Sequence, residues 1–457
     1  MWTPDLPTDG TPLFQQILAA LERSIRDGGL KPGERLPPQR ELAKALGVSV
    51  GTVTKAYEEA DRRGLTLGHV GRGTYIANVQ DGPQSQAQVV DMSMNHPPMV
   101  AAERLLMEAW GKVRRSPEFA KTLNYGPVEG LPTFRRFAAH WLNRTAGVEE
   151  ADASRMLIVA GAQASMDLVF STLCKPGDVI LTEELTFSGM KAIARYRGFS
   201  LSPVAMDDEG VIPDSLEKAV RMTGSRVFYT MPTLQNPTAR TLSLARRKEL
   251  VKVARRLQVT LVEDDVYGAY VDRRDAPPAL VNLAPDITYY LSGLSKSLAP
   301  GLRTGFIIAP TAVLASHVAV GLRAASYSGH SLGLLIARQV VEDGSADQIL
   351  KENRKLLRNR RGALCAVLNL KPDRVAAMSP HVWLPTTEPE AARLAARLLE
   401  ENVRVTDISD PVLDSARGSG LRFCLGTVRR DADFERALSA IQRIMQQPPD
   451  LALRAAV

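Results

Sequence analysis

At 457 residues, with 45% hydrophobic and 23% charged residues, the chain is too long for one ordinary core and has the composition of a soluble multidomain protein. No apolar run approaches the roughly 18 residues of a membrane helix, and the start MWTPDLPTDG has neither the basic nor the apolar region of a signal peptide, so a cytoplasmic protein with no membrane partner is expected. Three widely spaced cysteines give neither a disulfide framework nor a zinc pattern, six scattered histidines show no ligand spacing, and no metal is expected; the net charge of +7 permits an anionic partner without requiring one.

Residues 1–78 form the first predicted domain. Phe14, Ile17, Leu18, Leu21 and Ile25 carry the spacing of a one-sided helix that Gly28 and Gly29 end. A short second helix runs from about Pro38 to Gly47 with Leu42, Ala45 and Leu46 inward, and Ser49 caps a third whose Val53, Ala56, Tyr57 and Ala60 face the core until Gly64. Leu65–Leu67 and Thr74–Ile76 then alternate as a hairpin about a glycine turn. Three helices with a tight turn between the last two, followed by a hairpin, make a winged helix-turn-helix. Ten Lys+Arg stand against nine Asp+Glu in this stretch, so an argument for nucleic acid rests on where the charges sit rather than on their sum.

PGERLPPQRELAKALGVSVGTVTKAYEEADRRG and GHVGRGTYIA resemble the DNA-binding domains of the GntR family over nearly the whole unit. The resemblance implies that the third helix enters the major groove of double-stranded DNA with Ser49, Gly51, Thr52, Thr54 and Lys55 near it, while Arg40 begins helix two and Arg72 tips the wing. The plainer reading of Arg40, Lys55 and Arg72 is solvated surface charge. Val50 departs from the polar residue common there in the family.

VQDGPQSQAQVV (79–90) is polar, glutamine-rich and aperiodic, and reads as a linker reaching at most roughly 40 Å. Beyond it, near-continuous apolar runs at 156–161, 179–184, 226–231, 259–265, 288–293 and 305–310 alternate with amphipathic helices, which argues for a mostly parallel sheet covered on both faces. Ligands of such sheets collect at the strand C-terminal ends. There Gly161-Ala162-Gln163 opens a helix whose N–H groups suit a phosphate, and Phe187, Asn236, Asp264 and Tyr267 follow successive strands. Lys296 stands between Ser295 and Ser297, ahead of Pro300, Gly301 and Arg303, the setting of an amine that forms a Schiff base and hence of pyridoxal phosphate; Ser-Lys-Ser-Leu by itself reads more plainly as a strand-to-loop turn with a solvated lysine, and the other stretches change that balance. The basic run RKLLRNRRG (354–362) reads as a long solvated helix rather than a second DNA site, and Phe134, Phe137, Ala138 and Trp141, like Phe434, Leu438, Ile441 and Met445, mark scaffold helices.

NYGPVEGLP, AGAQASMDL, MPTLQNPTAR, EDDVYGAY, SGLSKSLAPGLRTGF and GLRFCLG, in that order, make residues 91–450 resemble a class I, fold-type I aminotransferase with a small C-terminal α/β subdomain from about 355. The resemblance implies Lys296 as the Schiff-base lysine, Asp264 on the ring nitrogen, Asn236 and Tyr267 on the ring oxygen, and Phe187 stacked on the ring. It places Ala162, Gln163, Ser295 and Arg303 near the phosphate, Tyr125 across a dimer interface, and Arg422 as a fork for a ligand carboxylate; the plainer reading of Arg422 is an exposed edge-strand residue. Gly293 departs from a family serine, leaving one phosphate hydroxyl missing or supplied by Ser292. The two halves together resemble the MocR subfamily of GntR regulators. That implies a homodimeric, pyridoxal phosphate-binding transcriptional regulator sensing an amino acid, an amine or the cofactor itself. A working aminotransferase with a secondary head is the competing reading.

Overall fold

The computed structural model of the chain describes all residues except 1, 7–10, 32, 63–64, 70–72, 77–88, 150, 330, 372, 407–410, 414–418 and 447–457. It divides into two compact units, residues 1–88 and 89–457. Arg72, Gly64 and most of the expected linker lie outside the described residues.

In the first unit, helices Leu13–Arg26, Gln39–Leu46 and Val50–Arg62 enclose Ile17, Leu21, Leu42, Val53, Ala56 and Tyr57, and the antiparallel pair Thr66–His69 and Gly73–Ile76 adds Ile76 to the same core. Gly47 takes the left-handed conformation that ends the second helix (φ 66°), where a side chain would be strained. Ala45 is exposed and Ala43 buried instead, because the eight-residue helix turns its 42–43 edge inward. The buried hydroxyl of Tyr57 donates to Pro37 O at 2.9 Å, locking the third helix to the entry of the second.

The second unit is built on a seven-stranded sheet in the order 156–159, 305–308, 288–293, 260–264, 227–230, 179–183, 200–204. All neighbours are parallel except Gly305–Ile308, which runs against both of its partners. Alternate residues serve opposite faces: Leu157, Val159, Leu291 and Ile307 join one hydrophobic cluster, Met156, Ile158, Tyr290 and Ile308 another. The edge strand Ser200–Val204 is absent from the sequence reading because its half-exposed residues and Pro203 lack the apolar run of the central strands. Beneath the sheet, Arg247 and Glu263 are wholly buried, 3.8 Å apart. Arg247 donates to Pro232 O (2.8 Å), Leu242 O (3.0 Å) and Thr233 Oγ1 (2.9 Å), pinning both ends of the loop that carries Asn236, and Glu263 accepts the N–H groups of Leu280 and Val281, each at 2.9 Å.

Toward the C-terminus, His381–Thr386 pairs antiparallel with Ser419–Cys424, and Val90–Asp91 pairs parallel with Val403–Arg404. Val89 and Val90, read as the end of the linker, therefore belong to the second unit. The 23-residue helix Ser345–Val367 contains the basic run, which is not simply solvated: Arg360 is buried and donates to Leu425 O (2.9 Å), Val428 O (2.6 Å) and Asp431 (2.7 Å), and Arg361 reaches His381 O at 2.6 Å. Those guanidiniums satisfy main-chain carbonyls inside the unit. No helix among the described residues is long and apolar enough to cross a membrane.

Candidate functional site

At the C-terminal edge of the sheet lies a cavity of about 520 Å³ lined by Ala162, Gln163, Phe187, Asn236, Asp264, Tyr267, Ser295, Lys296, Arg303 and Arg422, which come from positions up to 260 residues apart (162 to 422). Ser93, Met94, Asn95, Ser188, Met231, Val266, Gly293, Pro300 and Thr406 complete its wall. Tyr125 is not among them: it is 84% exposed, its ring 4.8 Å from that of Tyr327.

One end of the cavity is shaped for an anion. Gly161 (φ 98°) turns the chain from strand Met156–Val159 into helix Ala162–Leu173, whose first N–H groups have no partner within the helix. The turn fits only because its neighbours lack side chains: a Cβ on Gly305 would come within 2.5 Å of the Gly161 carbonyl carbon. The same crowding explains Gly293, where a Cβ would lie 2.9 Å from Thr304 O. Ser292 does not replace the missing hydroxyl, since it is buried off the cavity and donates to Asp265 O at 2.8 Å. Arg303 sits in the left-handed region (φ 44°), a conformation costing a non-glycine residue about 1–2 kcal/mol, with one guanidinium nitrogen on Ala160 O at 2.8 Å and Ser295 close by on the cavity wall.

The centre is a buried amine and a buried carboxylate. Burial pulls the Lys296 ammonium below its usual range, with Cys424 and Asp264 opposing and Arg422 adding to the effect; its Nζ donates to Asn95 O. Burial pushes the Asp264 carboxyl up to about 7, opposed by the Tyr229 hydroxyl that donates to Oδ2 at 2.8 Å. The other oxygen, Oδ1, is buried without a protein partner. Tyr267 is buried, and its hydroxyl is raised by desolvation; its oxygen accepts from Asn95 Nδ2 at 2.8 Å.

Arg422 is 7% exposed, so it is no edge-strand surface residue. Its nitrogens donate to Asn236 Oδ1 (2.6 Å), Ser93 O (3.0 Å) and Thr406 Oγ1 (3.1 Å). Three of its five N–H groups are so engaged among the described residues, leaving one on each terminal nitrogen, a pair that suits a carboxylate.

These residues fit pyridoxal phosphate. The orphaned Asp264 Oδ1 matches a protonated ring nitrogen, the Gly161 turn with Arg303 matches a phosphate, Phe187 supplies an aromatic face and Lys296 an amine of lowered proton affinity. Asn95, Ser93, Thr406 and His381, which hold Tyr267 and Arg422, were missed in the sequence, where none of them lies in a recognisable motif.

In the first unit, Arg40, Ser49, Gly51 and Lys55 are exposed and Thr52 and Thr54 half-buried at the start of the second and third helices. Ser49 Oγ accepts from Thr52 N (3.1 Å), and Thr54 Oγ1 donates to Gln39 Oε1 (2.8 Å), tying the two helices together. The Lys55 ammonium lies 4.2 Å from the centre of the Phe14 ring. Val50 is 44% exposed, an apolar side chain on the face that a groove would meet.

Residues 13–76 match the family model "Bacterial regulatory proteins, gntR family", and residues 87–441 match "Aminotransferase class I and II". The chain is 29% identical over 317 residues to the HTH-type transcriptional regulator YdeF of Bacillus subtilis, covering 68% of this chain and 67% of that protein. It is 27% identical over 449 residues to the probable rhizopine catabolism regulatory protein MocR of Rhizobium meliloti, covering 90% and 86%. Its fold matches an archaeal alanine:glyoxylate aminotransferase with a TM-score of 0.70 at 21% identity, over 86% of this chain and 94% of that one. With a cavity suited to pyridoxal phosphate on the one unit and a DNA-binding fold on the other, the chain belongs to the class I and II aminotransferase family and carries a GntR-family head, the composition of the MocR subfamily of GntR regulators.

Proposed function

We propose that the chain is a cytoplasmic, homodimeric transcriptional regulator that holds pyridoxal phosphate on Lys296 and changes its DNA affinity when an amino acid, an amine or the cofactor itself fills the site. The observation that carries this reading is the joining, in one chain, of a helix-turn-helix with an exposed third-helix start to a cavity where a buried amine, an orphaned carboxylate oxygen and an anion cradle converge. Bound pyridoxal phosphate supplies an aldehyde that amines capture and a ring that takes up electrons. Lys296 holds it, Asp264 keeps its ring nitrogen protonated, Asn236 and Tyr267 face its ring oxygen, and Phe187 covers the ring. Ala162, Gln163, Ser295 and Arg303 bind its phosphate, Tyr125 reaches the partner's site, and Arg422 orients a ligand carboxylate. On the head, Arg40, Lys55 and Arg72 contact phosphates while Ser49, Gly51, Thr52 and Thr54 approach the groove. Regulation requires that the ligand bind one arrangement of the dimer better than the other.

The test is to add amino acids and amines one at a time to the loaded protein, with Lys296→Ala as control, reading the visible spectrum together with the affinity for DNA flanking its own gene. A lasting spectral change without release of a 2-oxo acid, accompanied by altered DNA affinity, supports the regulator; no preference for any flanking fragment refutes it. A second reading, a working aminotransferase, is favoured by the two uncommitted N–H groups of Arg422. Release of a 2-oxo acid in step with amino acid consumed, reversed by adding a 2-oxo acid, establishes that activity.

A further inference from the structure

Tyr267 reaches its position through two residues outside the motifs above. Asn95 lies on the segment that follows strand Val90–Asp91, and His381 opens strand His381–Thr386. His381 is fully buried, and burial holds its imidazole down at about 3, so the ring is neutral. One nitrogen, Nε2, lies 3.0 Å from the main-chain oxygen of Gln235, which only accepts. Nε2 therefore carries the single ring proton, and Nδ1 is a bare acceptor. Asn95 meets Nδ1 at 2.9 Å and the Tyr267 oxygen at 2.8 Å. The amide must turn its NH₂ to the histidine, since its carbonyl there would oppose a lone pair. Both amide hydrogens are then used, one on His381 and one on Tyr267. Among the described residues, Asn95 alone hydrogen-bonds the Tyr267 oxygen, so the hydroxyl's own hydrogen is left to point into the cavity.

We propose that Asn95 and His381 are positioning residues that hold the Tyr267 hydroxyl as a donor toward the ring oxygen of the bound cofactor. The inference rests on the reading of Lys296 as the cofactor lysine. Glu183 supports the same chain from the sheet: its Oε2 accepts from Gln235 Nε2 at 3.0 Å, and its Oε1 from Thr230 Oγ1 at 2.7 Å, fixing the residue whose carbonyl sets the imidazole tautomer. Asn95 also accepts from Lys296 Nζ through its main chain, so one residue touches both groups that would flank the reactive end of the cofactor.

The experiment is a pH titration of the visible chromophore of full-length protein loaded with pyridoxal phosphate. A donor on the ring oxygen stabilises its anionic form, so losing the donor leaves the shared proton more tightly held and moves the titration midpoint upward. Asn95→Ala is expected to raise it by about one pH unit, about tenfold in proton affinity. Tyr267→Phe is expected to shift it at least as far, and the double variant no further than Tyr267→Phe alone, because the Asn95 side chain acts through that hydroxyl while its main-chain carbonyl is unchanged by the substitution. An unchanged midpoint in Asn95→Ala, or shifts that add in full in the double variant, overturns the proposal. If Asn95→Ala does not fold, His381→Leu carries the test: an upward shift, abolished in the Tyr267→Phe background, supports the relay, and no shift sinks it. Absence of any visible band in the wild type would instead defeat the assignment of Lys296, a failure separable from this one.

Discussion

Replacing Arg247 by Met removes the cation from a pair in which both partners are fully buried. Glu263 would keep its two main-chain N–H donors but lose its counter-charge; Leu242 O, Pro278 O and Thr233 Oγ1 would each lose the guanidinium donor, and Pro232 O would keep only the Leu242 N–H. Breaking a buried pair from one side costs about 3–5 kcal/mol. With a urea slope of about 3 kcal/mol/M for so large a unit, the unfolding midpoint should fall by about 1–1.7 M. Burial already raises the Glu263 carboxyl to about 7, with Arg247 pulling it down, so removing Arg247 raises it further. A raised folded-state value contributes stability at low pH that is lost as the pH climbs to that value. Wild type finishes losing it near pH 7; the variant continues losing it above. The deficit of Arg247→Met should therefore be about 1–2 kcal/mol larger at pH 8.5 than at pH 6.5, measured by urea unfolding at both. A deficit under about 1 kcal/mol, or one that shrinks as the pH rises, would refute the reasoning.

Gly305→Ala should fold poorly or lose pyridoxal phosphate retention at least tenfold by equilibrium dialysis, since its Cβ must displace the Gly161 turn; unchanged retention would show that the turn is not the phosphate cradle. Ser49→Ala removes the hydroxyl that caps Thr52 N and should cost the head about 1 kcal/mol in thermal unfolding. Arg40→Ala and Lys55→Ala should each reduce the salt dependence of DNA binding by about one unit of log–log slope, as measured by anisotropy across salt concentrations. A slope that stays at the wild-type value would mean the side chain makes no phosphate contact.

What the sequence discloses follows from the range of the interactions. The central strands are legible because burial on both faces forces continuous apolar runs, as in Met156–Val159 and Gly305–Ile308. The lysine, the aspartate and the glycine turn are legible because each follows a strand in a local pattern. Asn95 was not, because its partners Tyr267 and His381 lie 172 and 286 residues away and nothing beside it in the chain betrays them. Arg360 misled for the opposite reason: a run of charges ordinarily marks solvent, yet this guanidinium serves carbonyls 65 and 68 residues onward. Gly293 reads in the sequence as a missing phosphate hydroxyl, whereas the nearness of Thr304 O leaves no room there for any side chain.

The entry of the chain into the second unit has a mechanical meaning. Its first strand, Val90–Asp91, is hydrogen-bonded to Val403–Arg404 and not to the seven-stranded sheet. Four residues later the same segment receives the Lys296 ammonium, and Ser93 on it receives Arg422. The chain thus enters the second unit along a thin ribbon of backbone that Lys296 and Arg422 both grip.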